Sequence, residues 1–126
     1  MVDARADLVP EIYYGATIKD ARAQASAAGG NSELRLRIIN DGAEPLIFLG
    51  VQSEFITRSK ILAHTSRGKF RPLGSVRIPV EEELDLNTNH MVVELSGLKV
   101  PFTAGQVVTL NLSFVSGVIP IEVHIH

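Results

Sequence analysis

The sequence predicts a single all-β sandwich domain, and three observations carry that prediction. Short apolar runs are separated by turn signals from Glu33 onward, strict alternation appears in Leu34-Arg35-Leu36-Arg37-Ile38, and no segment has the pattern of a packed helix. A chain of 126 residues is long enough to bury one continuous core without a disulfide or metal staple.

Residues 1–17 read as an N-terminal segment with a first strand at its end, because Glu11-Ile12-Tyr13-Tyr14-Gly15-Ala16-Thr17-Ile18 is rich in β-branched and aromatic residues. The sandwich is expected to occupy residues 18–126. Asp20–Ala28 is alanine-rich but has almost no large apolar side chain to bury, and it reads as a flexible connector before Gly29-Gly30. In the alternating strand that follows, Leu34, Leu36 and Ile38 face the core and Arg35 and Arg37 face away. Asn40-Asp41-Gly42 is a turn, since Asn and Gly tolerate positive φ. Leu46–Val51 and Lys60–Thr65 read as strands, Ser66–Lys69 as a loop and Arg71-Pro72-Leu73-Gly74 as an interruption. Val76–Val80 contains Pro79 and suits a sheet edge. Glu81-Glu82-Glu83 reads as a solvated turn. His90–Leu95 alternates again, Pro101–Gln106 is a loop, and Val107–Val115 with Val118–Ile125 forms a hairpin around Ser116-Gly117. The predicted core is Leu34, Leu36, Ile38, Leu46, Phe48, Leu95, Leu98, Leu110, Leu112 and Phe114.

Composition removes several functions. Hydrophobic residues make up 45% and charged residues 21%, as in an ordinary globule, and the formal net charge is -2, so no basic field attracts polyanions. No aromatic residues are interleaved with Lys or Arg in the manner of a single-strand platform, so nucleic acid is not an expected partner. No stretch approaches the roughly 20 apolar residues of a membrane-spanning helix. With no Cys, thiolate chemistry and Cys-based zinc sites are excluded, and any metal must be held by His, Met or carboxylate. The sequence has no nucleophile elbow, phosphate loop or His-Glu-x-x-His helix, so it is not read as an enzyme. The opening Met-Val-Asp-Ala-Arg-Ala-Asp lacks the apolar stretch of a signal peptide, which fits either a cytosolic protein or a chain beginning at its mature end.

The collinear segments Leu36–Leu46, Lys60–His64, Lys69–Leu73, Ser96–Phe102 and Ala104–Phe114 together resemble the PCu(A)C family of periplasmic copper chaperones. Leu36-Arg37-Ile38-Ile39-Asn40-Asp41-Gly42-Ala43-Glu44-Pro45-Leu46 is similar to a family strand that ends in Asn before a polar turn. Lys60-Ile61-Leu62-Ala63-His64 resembles the strand ending in the first copper-ligating His, and Lys69-Phe70-Arg71-Pro72-Leu73 resembles the Met-Arg-Pro segment. Ser96-Gly97-Leu98-Lys99-Val100-Pro101-Phe102 and Ala104–Phe114 are similar to the Gly-Leu-Lys-x-Pro-Leu and Gly-Asp-x-Val-x-Leu-x-Leu-x-Phe signatures. The likeness spans Ile18 to Val123. It implies a cupredoxin-like Greek-key β-sandwich, an extracytoplasmic location, and delivery of copper from a site of two His and two Met to a protein partner in envelope assembly. On that alignment His64 occupies the first His position, Phe70 the first Met, Val92 the second His and Glu94 the second Met. The resemblance thus implies a site that has lost most of its soft ligands.

Two substitutes remain in the residues. In an extended strand His90, Val92 and Glu94 share one face, with His90 about 6.8 Å along the strand from Val92, so a slip or bulge would bring it to His64. His90 and Glu94 are about 13.6 Å apart along that strand, so the replacement is His64 with either His90 or Glu94, a harder set suited to Cu(II) or Zn(II) rather than Cu(I). Met91 points to the opposite face and packs. His124 and His126 form His-x-His on one face of the last strand, a spacing that chelates when further ligands are supplied, or else a frayed terminus. Two function classes follow: a metal-binding or metal-delivery module with a mostly lost His/Met site, and a ligand-free sandwich that binds another protein and needs no cofactor.

Overall fold

The computed structural model describes residues 12–13, 15–65, 67–88 and 90–126. The strands are β1 (Ile12–Tyr13), β2 (Ala16–Ala23), β3 (Ser32–Asn40), β4 (Leu46–Gln52), β5 (Ile56–His64), β6 (Phe70–Leu73), β7 (Val76–Ile78), β8 (Glu83–Asp85), β9 (Met91–Leu98), β10 (Val107–Phe114) and β11 (Gly117–Ile125). No helix occurs among the described residues, and none is long and apolar enough to cross a membrane. Hydrogen bonding runs β6-β5-β9-β3-β2-β11-β10-β4-β7, with β1 on β2 and β8 on β3. The path wraps into a nearly closed, barrel-like sandwich, so the predicted all-β fold is the observed one.

Period-two alternation drives this wrapping. β3 reads buried, half-buried, buried along its whole length, and β11 alternates Ile119, Ile121, Val123 and Ile125 inward with exposed residues between them. All of the predicted core residues are buried, and the Phe48 and Phe114 rings meet at 5.5 Å between centroids, tilted by 53°. β3 is the pivot. Along one edge it pairs antiparallel with β2; along the other, Ser32–Leu34 pairs with β9 and Arg37–Ile39 pairs with β8.

Three expectations change. Asp20–Ala28 is not a free connector: β2 runs through Ala23 with a bulge between Lys19 and Arg22, where Asp20 takes φ 58°, and Ser26 then bridges Phe102. The extra residue of the bulge breaks the alternation that marks a strand. Arg71-Pro72-Leu73 does not interrupt the chain but belongs to β6, whose edge position spares Pro72 from donating a ladder bond. Glu83 leaves the solvated turn to begin β8. The proposed first strand appears as β1 and the start of β2; Glu11 and Tyr14 of that stretch, and residues 1–10, lie outside the described residues, as does Ser66 of the predicted loop.

Candidate metal centre

β5 and β9 pair antiparallel from Ile56↔Leu98 to Ala63↔Met91. The ladder closes with one further bond, in which the His64 amide donates to the His90 carbonyl at 2.8 Å. His64 and His90 are therefore direct cross-strand neighbours, a relation that places Cβ atoms about 4.5–5.5 Å apart on the same face. No slip is needed. On the other side of β5, His64 pairs with Phe70 of β6, and the two rings meet edge to face at 5.4 Å and 75°. Phe70 is 51% exposed, so the His64 ring rests against an aromatic edge at the protein surface.

Parity extends this row into a face. Leu62 pairs with Val92 and Pro72, and Lys60 pairs with Glu94. All four positions matched to the family's ligands, 64, 70, 92 and 94, thus lie on one outer surface of β6-β5-β9. The side chains there are another matter. Val92 is buried to 4% exposure and has no donor atom, and Phe70 has no lone pair. Glu94 stands between Lys60 and Glu33, bonded by the Ser96 hydroxyl at 3.3 Å, about 13 Å along the sheet from His64. Met91, on the alternate face, packs partly buried against the core.

Residues 16–125 match a family model described as "Putative lipoprotein LpqE-like". The chain belongs to the LpqE-like family. No curated protein matches it by sequence. Solved structures that resemble this LpqE-like domain include the copper-bound PCuAC domain from PmoF2, at 17% identity and a TM-score of 0.74 over 89% of this chain and 92% of that one. The apo PCuAC domain from PmoF1 aligns at 21% identity and 0.73 over 89% and 93%. The solution structure of CuI-DR1885 from Deinococcus radiodurans aligns at 19% and 0.62 over 86% and 77%. At these identities the structural likeness establishes the fold, which is the PCuAC one that the sequence resemblance implied.

The second histidine pair of the LpqE-like domain lies elsewhere, at the end of β11 and just beyond it. His124 and His126 are both exposed and alternate with buried Val123 and Ile125. The end is not frayed, contrary to one expectation: the His126 amide donates to the Ala23 carbonyl at 3.0 Å and its carbonyl accepts from Ala25 at 2.9 Å. His124 registers beside Val107 and Arg22, so a fixed cation borders this pair. Among the described residues no three His, Asp or Glu side chains gather as a metal cluster.

Sequence reasoning missed the β6 strand that brings Phe70 to His64, and it missed the loop between β8 and β9 that delivers His90. Asp85 organises that loop: its carboxylate accepts from the Asn87 amide at 2.8 Å and its carbonyl from the Thr88 hydroxyl at 3.2 Å. An Asp two residues ahead of an Asn-Thr pair is a turn signal, and it could have been read.

Proposed function

We propose that this LpqE-like domain is an extracytoplasmic metal-handling module whose ligands are the imidazoles of His64 and His90, taking Cu(II) or Zn(II) in preference to Cu(I). The observation that best supports the reading is the His64–His90 backbone bond, which makes the two residues cross-strand neighbours on an exposed part of the sheet. Two imidazoles without a thioether form a borderline ligand set, and water or a partner protein's side chain completes the coordination. Such an open, two-ligand site suits delivery, because an incoming ligand from a partner has a vacant position to occupy. The copper-bound state of a PCuAC domain of the same fold supports copper as cargo. The family description supports a location outside the cytoplasm. His64 paired with Glu94 gains no support from the register, and the His124–His126 pair is disfavoured by Arg22.

Titration with Cu(II), Zn(II) and Cu(I) against competing chelators near neutral pH tests this. The expected result is one Cu(II) or Zn(II) per chain, weakened roughly tenfold or more by His64→Ala and by His90→Ala but retained when His124 and His126 are both replaced by Ala. Acidification weakens it, since a proton and the metal compete for one lone pair. Binding no tighter than that of a variant with all these His replaced would sink the metal reading and leave the sandwich as a protein-binding scaffold.

A further inference from the structure

Arg35 lies on the outward face of β3, away from the core that Leu34 and Leu36 enter, yet its side chain is only 25% exposed. One guanidinium nitrogen, Nη1, donates to the Leu86 carbonyl at 2.9 Å and to the Thr88 carbonyl at 3.0 Å. The other, Nη2, reaches the Glu33 carboxylate at 3.1 Å. Glu33, two residues back on the same strand face, thus holds the fork in place while the fork grips two carbonyls of the loop that leads to His90. The same loop residue completes the connection, because the Thr88 hydroxyl accepts from the His90 amide at 3.4 Å. A continuous path of polar contacts therefore runs Glu33–Arg35–Thr88–His90–His64, its last link being the backbone bond between the two histidines.

We infer that Arg35 is a positioning residue that holds His90 against His64, so that the imidazole pair is preformed rather than assembled on binding. This rests on the His64–His90 reading for its consequence in metal binding, but not for its structural content. Charge alone does not account for the geometry. Its planar fork spans two carbonyls and a carboxylate at once, which the single ammonium of Lys cannot do. Leu86 has an independent anchor, being completely buried with its amide donating to the Leu36 carbonyl at 2.8 Å. Loss of the fork therefore releases Thr88 and with it the His90 amide, and leaves Leu86 and the sandwich in place.

Two measurements test the inference, one without metal. In hydrogen exchange of the metal-free protein, Arg35→Ala is expected to speed exchange of the His64 amide roughly tenfold or more while amides in β10 and β11 keep their protection; Arg35→Lys recovers only part of it. In Cu(II) titration Arg35→Ala weakens binding about 10-fold to 100-fold, in the range seen when outer partners of metal ligands are removed, and the electron paramagnetic resonance spectrum changes from two coordinated nitrogens to one. In a His90→Ala background the same substitution has no further effect. Wild-type protection of the His64 amide in Arg35→Ala overturns the inference, as does an undiminished effect on Cu(II) binding in the His90→Ala background. If wild-type protein binds no Cu(II), the proposed function fails while the exchange experiment still decides the role of Arg35.

Discussion

Asn40 is completely buried at the end of β3 and commits its whole side-chain amide. Its nitrogen donates to the Glu44 carbonyl at 2.9 Å and the Ile78 carbonyl at 3.0 Å, and its oxygen accepts from the Gly42 amide at 3.0 Å. Its backbone adds a bond to the Glu82 carbonyl and another from the Glu81 amide. One residue thus ties the β3–β4 turn to β7 and to the approach to β8. Replacement by Ala strands the buried Ile78 carbonyl and leaves the part-buried Glu44 carbonyl and Gly42 amide without their partner, at about 1–3 kcal/mol for each group that water does not reach. Asn40→Ala is therefore expected to lower stability by about 2–4 kcal/mol in urea denaturation. Asn40→Asp is expected to cost more at neutral pH, because a buried carboxylate would face two carbonyl oxygens. An aspartate variant as stable as the alanine variant would show that the two carbonyls find other donors.

At the scale of elements, β8 is a three-residue strand held to β3 by Ile39, Ile38 and Arg37, and its side-chain clasp is the Arg37–Glu83 pair. Arg37 Nε donates to Glu83 at 2.8 Å and its Nη2 at 3.1 Å, a bidentate fork on a carboxylate. The hydrogen bond from Arg37 holds the Glu83 carboxyl below its ordinary range, and the same bond raises the Arg37 guanidinium. A carboxyl depressed in the folded state adds stability at pH above its unfolded value and loses that contribution as pH falls through the folded value. For Arg37 the contribution is complete at any working pH, because the group stays charged in both states. Glu83→Gln should therefore flatten the acid limb of a stability-versus-pH curve, with the difference from wild type vanishing at low pH. Both side chains are about a third exposed, so added salt should shrink the difference as well. A difference that persists unchanged at low pH would assign the loss to packing rather than to the ion pair. This clasp was only half legible in the sequence. Arg37 was placed outward by alternation, but the partner lies in an acidic run whose composition reads as solvent-facing. β6 was hidden for a similar reason, since Arg-Pro-Leu-Gly has the composition of a loop and becomes a strand only because it lies on an edge.

At the scale of the whole molecule, the core was legible because period-two alternation needs no knowledge of pairing. The meeting of His64 with His90 was not, because parity sets the face while register across distant strands sets the neighbour. Closure of the barrel belongs to the same class of long-range facts. β4 and β5 approach each other at the point where the sheet almost closes, and a side chain stands in for the missing ladder: the Ser59 hydroxyl accepts from the Val51 amide at 2.8 Å and donates to the Val51 carbonyl at 2.9 Å. Gly50 makes room for it. A Cβ there would come within 2.9 Å of the Ser59 oxygen, and the backbone sits at φ 120°, a conformation costly for any other residue. The seam is also a groove of about 440 Å³ lined by Leu49, Val51, Ile56, Arg58 and Ser59, so water can reach the Val51 groups when the hydroxyl is removed. Ser59→Ala should therefore cost about 1 kcal/mol, the low end for orphaned backbone groups. Gly50→Ala should cost more, since backbone strain adds to the contact with Ser59. The two effects share one atom, the Ser59 oxygen, so they should not add. In the double variant the contact is gone and only the strain at position 50 remains with the loss of the bridge. The double variant is thus expected to be less destabilised than the sum of the single ones by urea denaturation. Strict additivity would mean that Gly50 is required for its backbone conformation alone, and that Ser59 closes the seam independently of it.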